Sequence, residues 1–270
     1  MPAVDCRPGI RPKGTLIRSG PHRVAGLPER HRITTYVPPG FDRSARAFPV
    51  AYLFDGQNIF SDNGSFRGGW QLHEHLDRRA CLGQTVPIVV GIHTDRWSRT
   101  RILAPWSEEP AEVSLADRML DWIVGPLAEM VAEEARVLVG PENTAIGGSS
   151  LGGLASLYAF FRHPDAFGKV MAMSPSLGIS GGVMGPIYPY VQRAVRTGDG
   201  RIYLDAGGLE CPCGHVLRQA DEMAALLVRK GFELGDNLMW VPDPQGSHDE
   251  EHWSRRLPAA LAFLFGAGPK

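Results

Sequence analysis

The chain predicts an α/β domain, a mostly parallel central sheet with helices on both faces. Three observations carry that expectation. Apolar runs of strand length alternate with helical patterns along most of the 270 residues. Several of those runs are continuous rather than alternating, as strands covered on both faces require. No repeat, low-complexity tract or linker divides the chain. Residues 1–30, rich in Pro, Gly and Arg, read as an irregular N-terminal arm, and 31–270 as one domain.

An opening strand pair is expected near Leu16-Ile17 and over 32–37. The run 48–54 follows, then an amphipathic stretch near 71–79. Residues 87–92 form the next run, followed after a long polar loop by a helix over 115–135. Strand 143–147 leads into a helix over 151–161, and strand 168–173 into a Gly/Pro-rich excursion, 174–190. Strand 201–205 precedes a helix at 216–230, and strand 237–241 precedes one at 250–265. Two helices are well signalled. Ser114 with Asp117 is a capping-box variant ahead of an apolar stripe of Leu115, Met119, Trp122, Ile123 and Val131, which Gly125-Pro126 should kink. Leu151, Leu154, Ala155, Tyr158 and Phe161 share one helical face and end before Pro164.

Composition narrows the function. Twenty-eight basic and 29 acidic residues give a net charge of −1, which provides no electrostatic footprint for nucleic acid or anionic lipid. No run approaches the roughly 18 apolar residues of a membrane helix, and the N-terminus lacks the apolar segment of a secretion signal. Four cysteines do not make a disulfide framework in a chain this long. A cytoplasmic globular protein is the expectation.

Gly148-Ser149-Ser150-Leu151-Gly152 fits G-x-S-x-G. The pattern is weak alone in a chain with 32 glycines but gains force from its place between a strand and a helix, where a nucleophile elbow must lie. Registering it on Ser149 fails, because position 151 is Leu. Ser150 is the candidate nucleophile, at a helix N-terminus whose free N–H groups favour developing negative charge.

A serine needs a base, and in elbow enzymes the order is Ser, acid, His. His248, in the loop after the last expected strand, is preferred over His215 and His252. The acid should follow strand 201–205. Glu210 is favoured, with Asp243 next, while Asp205 reads as a strand-end residue bonded to local backbone. The oxyanion hole should combine the Leu151 N–H with that of Gln57, in Asp55-Gly56-Gln57-Asn58 after strand 48–54. The polar loop after 87–92 carries Arg96, Trp97, Arg99 and Arg101, at the sheet edge where ligands bind. Trp70 or Trp97, with Arg99 or Arg101, is expected to contact substrate, which suits a polar or aromatic ester. No cofactor or metal is expected. Cys211, Cys213 and His215 are too cramped for tetrahedral zinc and read as a loop with incidental thiols, and His73 and His75 point to different helix faces.

These stretches, together with Ile33–Asp42, Tyr52–Phe60, Gly69–Leu76, Ser98–Pro105, His163–Gly168, Met173-Ser-Pro-Ser176 and Gly246-Ser-His248 followed by Trp253, resemble the esterase-D-like branch of the α/β-hydrolases. That family includes enterochelin and bacillibactin trilactone esterases, feruloyl esterases, S-formylglutathione hydrolases and mycolyltransferases. The resemblance covers about residues 32–264. It implies an α/β-hydrolase fold with Ser150, His248 and Glu210 as a triad and the Gln57 and Leu151 amides as oxyanion hole. Some trilactone esterases of the family look like Ser–His dyads, which leaves the acid open. Ile102 departs from the family, whose relatives often carry an acidic residue there. The expected function is a serine carboxylic-ester hydrolase acting on a small-molecule ester. A thioesterase, an acyltransferase and a catalytically silent binding relative are the alternatives.

Overall fold

In the computed structural model, residues 12–43, 45–62, 65, 68–106, 114–178, 185–195, 199–211 and 214–266 are described. Eight strands form one sheet: β1 (Thr15–Arg23), β2 (Arg30–Val37), β3 (Val50–Phe54), β4 (Ile88–Ile92), β5 (Thr144–Ser149), β6 (Lys169–Met173), β7 (Arg201–Gly207) and β8 (Leu238–Asp243), in the order β1-β2-β4-β3-β5-β6-β7-β8. The first two pairings are antiparallel, and every pairing from β4 to β8 is parallel. The expected mostly parallel sheet is present. Strand β1 includes Leu16-Ile17, where the opening strand of the expected pair lies, and runs on through the segment read as an irregular arm. It pairs with β2 from Thr15 to Arg23 and, being largely exposed, lacks the apolar run that marks the central strands. Residues 1–11 lie outside the described residues.

Every residue of β3 and β4 is buried, which is why both read as unbroken apolar runs. Nine α-helices occur among the described residues: α1 (Gly56–Ile59), α2 (Leu72–Cys81), α3 (Arg99–Leu103), α4 (Ala116–Trp122), α5 (Ala128–Glu134), α6 (Leu151–Arg162), α7 (Ile187–Arg193), α8 (His215–Arg229) and α9 (Glu250–Phe265). Two core clusters cover the two sheet faces. One includes residues of α4, α6 and α8; the other includes Leu72 and Leu76 of α2 with Trp253, Leu257 and Leu261 of α9. The Ser114 hydroxyl accepts the Ala116 N–H at 3.2 Å, but the cap position itself falls one residue later, on Leu115, whose side chain makes no capping bond. Asp117 does not complete the box but accepts from the Tyr158 hydroxyl at 2.9 Å. At Gly125-Pro126 the expected kink is a π-helical turn, Ile123–Leu127, because Pro126 has no N–H to give the α-helical ladder.

The parallel register brings Phe54, Ser149, Met173, Gly207 and Asp243 to one edge of the sheet. That carboxyl edge is where a doubly covered sheet leaves room for a ligand.

Candidate active site

Strand β5 ends at Ser149, and α6 begins at Leu151, so Ser150 alone makes the turn. Its backbone sits at φ 57°, ψ −120°, a costly conformation for a non-glycine residue. Glycine is required beside it, since a Cβ on Gly148 would lie 2.9 Å from the carbonyl carbon of Gly152. The turn is tied to β6 by Ser150 N–H to Met173 O at 2.9 Å and by Ser176 N–H to Ser150 O at 3.0 Å. Asp55 after β3 and Ser174 after β6 also have positive φ, at 57° and 40°. Three strand ends at this edge therefore carry strained backbone.

The hydroxyl of Ser150 bonds to that of Ser176 at 3.1 Å. His248, in the loop after β8, bonds through Nδ1 to Glu210 Oε2 at 2.8 Å, and its ring lies 5.0 Å from the Trp253 ring in an edge-on contact. Glu210 has a fully buried side chain, whereas His248 is one-third exposed. The other Glu210 oxygen accepts from Gly207 N–H at 2.6 Å and from the Ser174 hydroxyl. Burial raises the Glu210 carboxyl, but the hydrogen bonds from His248, Ser174 and Gly207 outweigh it and hold the group below its ordinary range.

The competing residues are bonded to other partners. Asp205 is fully buried, where it accepts from Ser174 N–H and the Tyr203 hydroxyl. Burial pushes it up to about 6, against the opposing charge of Arg256. Asp243 bonds to Gln245 N–H and faces Arg256 at 3.6 Å. His252 pairs with Asp249 at 2.8 Å, and His215 begins α8 on the surface. Among the described residues no group of His, Cys, Asp or Glu could hold a metal ion.

On the opposite flank, Asp55 is buried and gripped bidentately by Arg99, Nε to Oδ1 at 2.9 Å and Nη2 to Oδ2 at 2.7 Å. The Thr94 hydroxyl donates to the same carboxylate, and Thr94 N–H bonds to Gln57 Oε1 at 3.1 Å. Asn58 Nδ2 donates to Glu250 Oε1 at 3.3 Å, joining this loop to the start of α9. The N–H groups of Gln57 and Leu151 lie in the first turns of α1 and α6, where no intrahelical acceptor exists.

Two expected substrate contacts are corrected. Trp70 is 1% exposed and packs 6.2 Å from Trp253 within the core, so it has no face to offer a ligand. Arg99 is committed to Asp55. Arg101 is exposed, as is Trp97, whose ring faces Arg96 at 5.0 Å. The thiol expectation is also corrected: Cys81 and Cys211 are both disulfide-bonded, and Cys213 lies outside the described residues.

Sequence reasoning missed Ser174, Ser176, Asp55 and Arg256. The first two stand in Met173-Ser-Pro-Ser176, a stretch noted only for its likeness. Arg256 is a basic residue in the buried stripe Trp253, Leu257, Ala260, Leu261 and Leu264, which is itself a signal, because an arginine is almost never buried without a partner.

Comparison with known proteins agrees with this architecture. Over 257 residues the chain is 26% identical to the uncharacterized Bacillus subtilis (strain 168) protein YbbA, covering 87% of this chain and 92% of that one. Among solved structures, the BES protein of Bacillus cereus superposes with a TM-score of 0.70 at 18% identity, covering 97% and 98% of the two chains. The CE1 ferulic acid esterase of Anaeromyces mucronatus gives 0.70 at 18%, covering 98% and 95%. The enterobactin esterase of Shigella flexneri gives 0.71 at 22%, covering 97% of this chain and 62% of that one. Residues 25–264 match the Esterase family model. The chain therefore belongs to the Esterase family and is a carboxylic ester hydrolase with the α/β-hydrolase fold.

Proposed function

We propose that Ser150, His248 and Glu210 act as a catalytic triad, with the Gln57 and Leu151 amides as oxyanion hole. The observation that carries this reading is the His248–Glu210 hydrogen bond, at the same sheet edge as the strained turn at Ser150. Glu210 orients the imidazole so that Nε2 is free to take a proton. Ser150 rotates from Ser176 toward His248 when substrate seats; catalytic hydrogen bonds are often unformed in the free enzyme. It attacks the ester carbonyl, and the two amides stabilise the tetrahedral oxyanion. His248 then protonates the leaving alcohol, and water, activated by the same histidine, releases the acid from the acyl-enzyme.

The substrate we favour is a small polar or aromatic ester. The exposed Trp97 with Arg96 and Arg101, after β4, supports it. So does the likeness to enzymes described as enterobactin and ferulic acid esterases. Among the described residues no helix is long and apolar enough to cross a membrane. The disulfide-bonded Cys81 and Cys211 favour an oxidising compartment over the cytoplasm expected from composition.

Hydrolysis of p-nitrophenyl acetate and methyl ferulate by wild type and Ser150→Ala tests the reading. The expected result is turnover by wild type and a loss of roughly 10³- to 10⁶-fold in the variant. Undiminished hydrolysis by Ser150→Ala would overturn the assignment.

A further inference from the structure

Behind the face of Glu210 that meets His248 lies a second buried carboxylate, Asp205, and one cation, Arg256. The Ser174 hydroxyl stands between the two acids, donating to Glu210 and lying 3.5 Å from Asp205 Oδ1. Both acid side chains are fully buried, and Arg256 is 6% exposed. Its Nε is 3.3 Å from Asp205 Oδ2, its Nη2 is 3.7 Å from Glu210 Oε1 and its Nη1 is 3.6 Å from Asp243 on β8. The same Nη2 donates to Ser174 Oγ at 2.9 Å, and Trp253 Nε1 donates to it at 3.0 Å.

We infer that Arg256 is a positioning residue for the catalytic acid, holding Glu210 ionised and Ser174 turned toward it; this rests on the triad reading above. Two consequences of the geometry carry the inference. Two buried like charges joined through one hydroxyl do not both stay ionised without a nearby cation. Arg256 is that cation; Tyr203 and the Ser174 amide add only neutral donors to Asp205. The second concerns direction. Ser174 Oγ already receives N–H donors from Arg256 and Trp253, so its single proton is left to point at a carboxylate, and it meets Glu210. Burial pushes Asp205 up to about 6 even with Arg256 in place; loss of the cation raises both acids, and a proton entering the pair is then shared with Glu210 through the Ser174 hydroxyl. A protonated Glu210 would stabilise the imidazolium of His248 poorly.

The test is the pH dependence of kcat/KM for p-nitrophenyl acetate. Arg256→Met should move the acid limb up by about one unit or more, because the Asp205–Glu210 pair must now lose a proton before the enzyme works. At neutral pH kcat should fall by about two- to tenfold, with KM within about twofold. Adding Asp205→Asn removes the second carboxylate and should return the limb to its wild-type position. An unmoved limb in folded Arg256→Met, or a limb still raised in the double variant, overturns the inference. Where Arg256→Met yields no folded protein, Arg256→Gln takes its place with the same expected shift, and an unmoved limb there overturns the inference. Failure of the triad reading looks different: wild type would then lack a serine that a fluorophosphonate labels, or Glu210→Gln would leave kcat unchanged.

Discussion

On one flank of Ser150, Arg99 grips Asp55 and ties the loops that follow β3 and β4. On the other, Arg256 stands among Asp205, Glu210 and Asp243 beneath the loops after β7 and β8. Both arginines bridge segments distant in sequence, but their settings differ. Arg99 is one-quarter exposed and meets one carboxylate through two parallel hydrogen bonds, a geometry that fixes direction. Arg256 is buried, and among the described residues its only hydrogen bond is to Ser174, with carboxylates at 3.3–3.7 Å. The first pair shapes backbone: it holds Asp55 in its left-handed conformation, from which Gln57 enters α1. The second places one cation among the three carboxylates behind His248.

The comparison can be broken most severely at the acid itself. Glu210→Gln should lower kcat by about 10²- to 10⁴-fold, because an amide supports the wrong imidazole tautomer and no imidazolium. Steady-state kinetics check this, and a Glu210→Gln enzyme near wild-type rate would favour the Ser–His dyad. On the other flank, Arg99→Met should lower kcat by about 10- to 100-fold through loss of oxyanion-loop geometry, while the acid limb of the pH profile stays in place. A shifted limb there would erase the distinction between the two arginines.

The smallest effect separates the flanks by stability. His93, after β4, bonds to Thr34 Oγ1 at 2.9 Å. Burial, with Arg18 and Arg32 adding to it, lowers its pKa to about 4. The folded state thus resists a proton that the unfolded chain accepts below about 6.5. Stability is present above that pH and falls as pH drops toward 4. Asp205 is shifted up, so its protonation favours the folded state over part of the same range. His93→Gln should recover about 2 kcal/mol of the acid loss, discounted for the partial exposure of the ring. Urea unfolding at pH 7 and pH 4.5 measures it, and an unchanged difference would remove His93 from the account.

The parts of the site legible in sequence are those governed by local rules. Ser150 is marked because a strand-to-helix turn demands Gly148 and Gly152. Glu210 and His248 are marked by their order after particular strands. Helices α1 and α3, of four and five residues, are too short for periodicity to show. Trp70 beside Gly69 reads equally well as a pocket wall or as core, and only packing against Trp253 decides. Arg99 likewise has a ligand-binding composition until Asp55 is seen to occupy it. The carboxylates that Arg256 serves come from β7, the turn after it and β8, so no spacing rule announces them. Disulfide pairing at Cys81 and Cys211 depends on distances that sequence does not carry.

The most direct test of the central claim is intact-mass analysis after reaction with a fluorophosphonate, on wild type and Ser150→Ala. One adduct per wild-type chain and none on the folded variant is the expected result. Equal labelling of both proteins, or no labelling of folded wild type, would contradict Ser150 as the activated nucleophile.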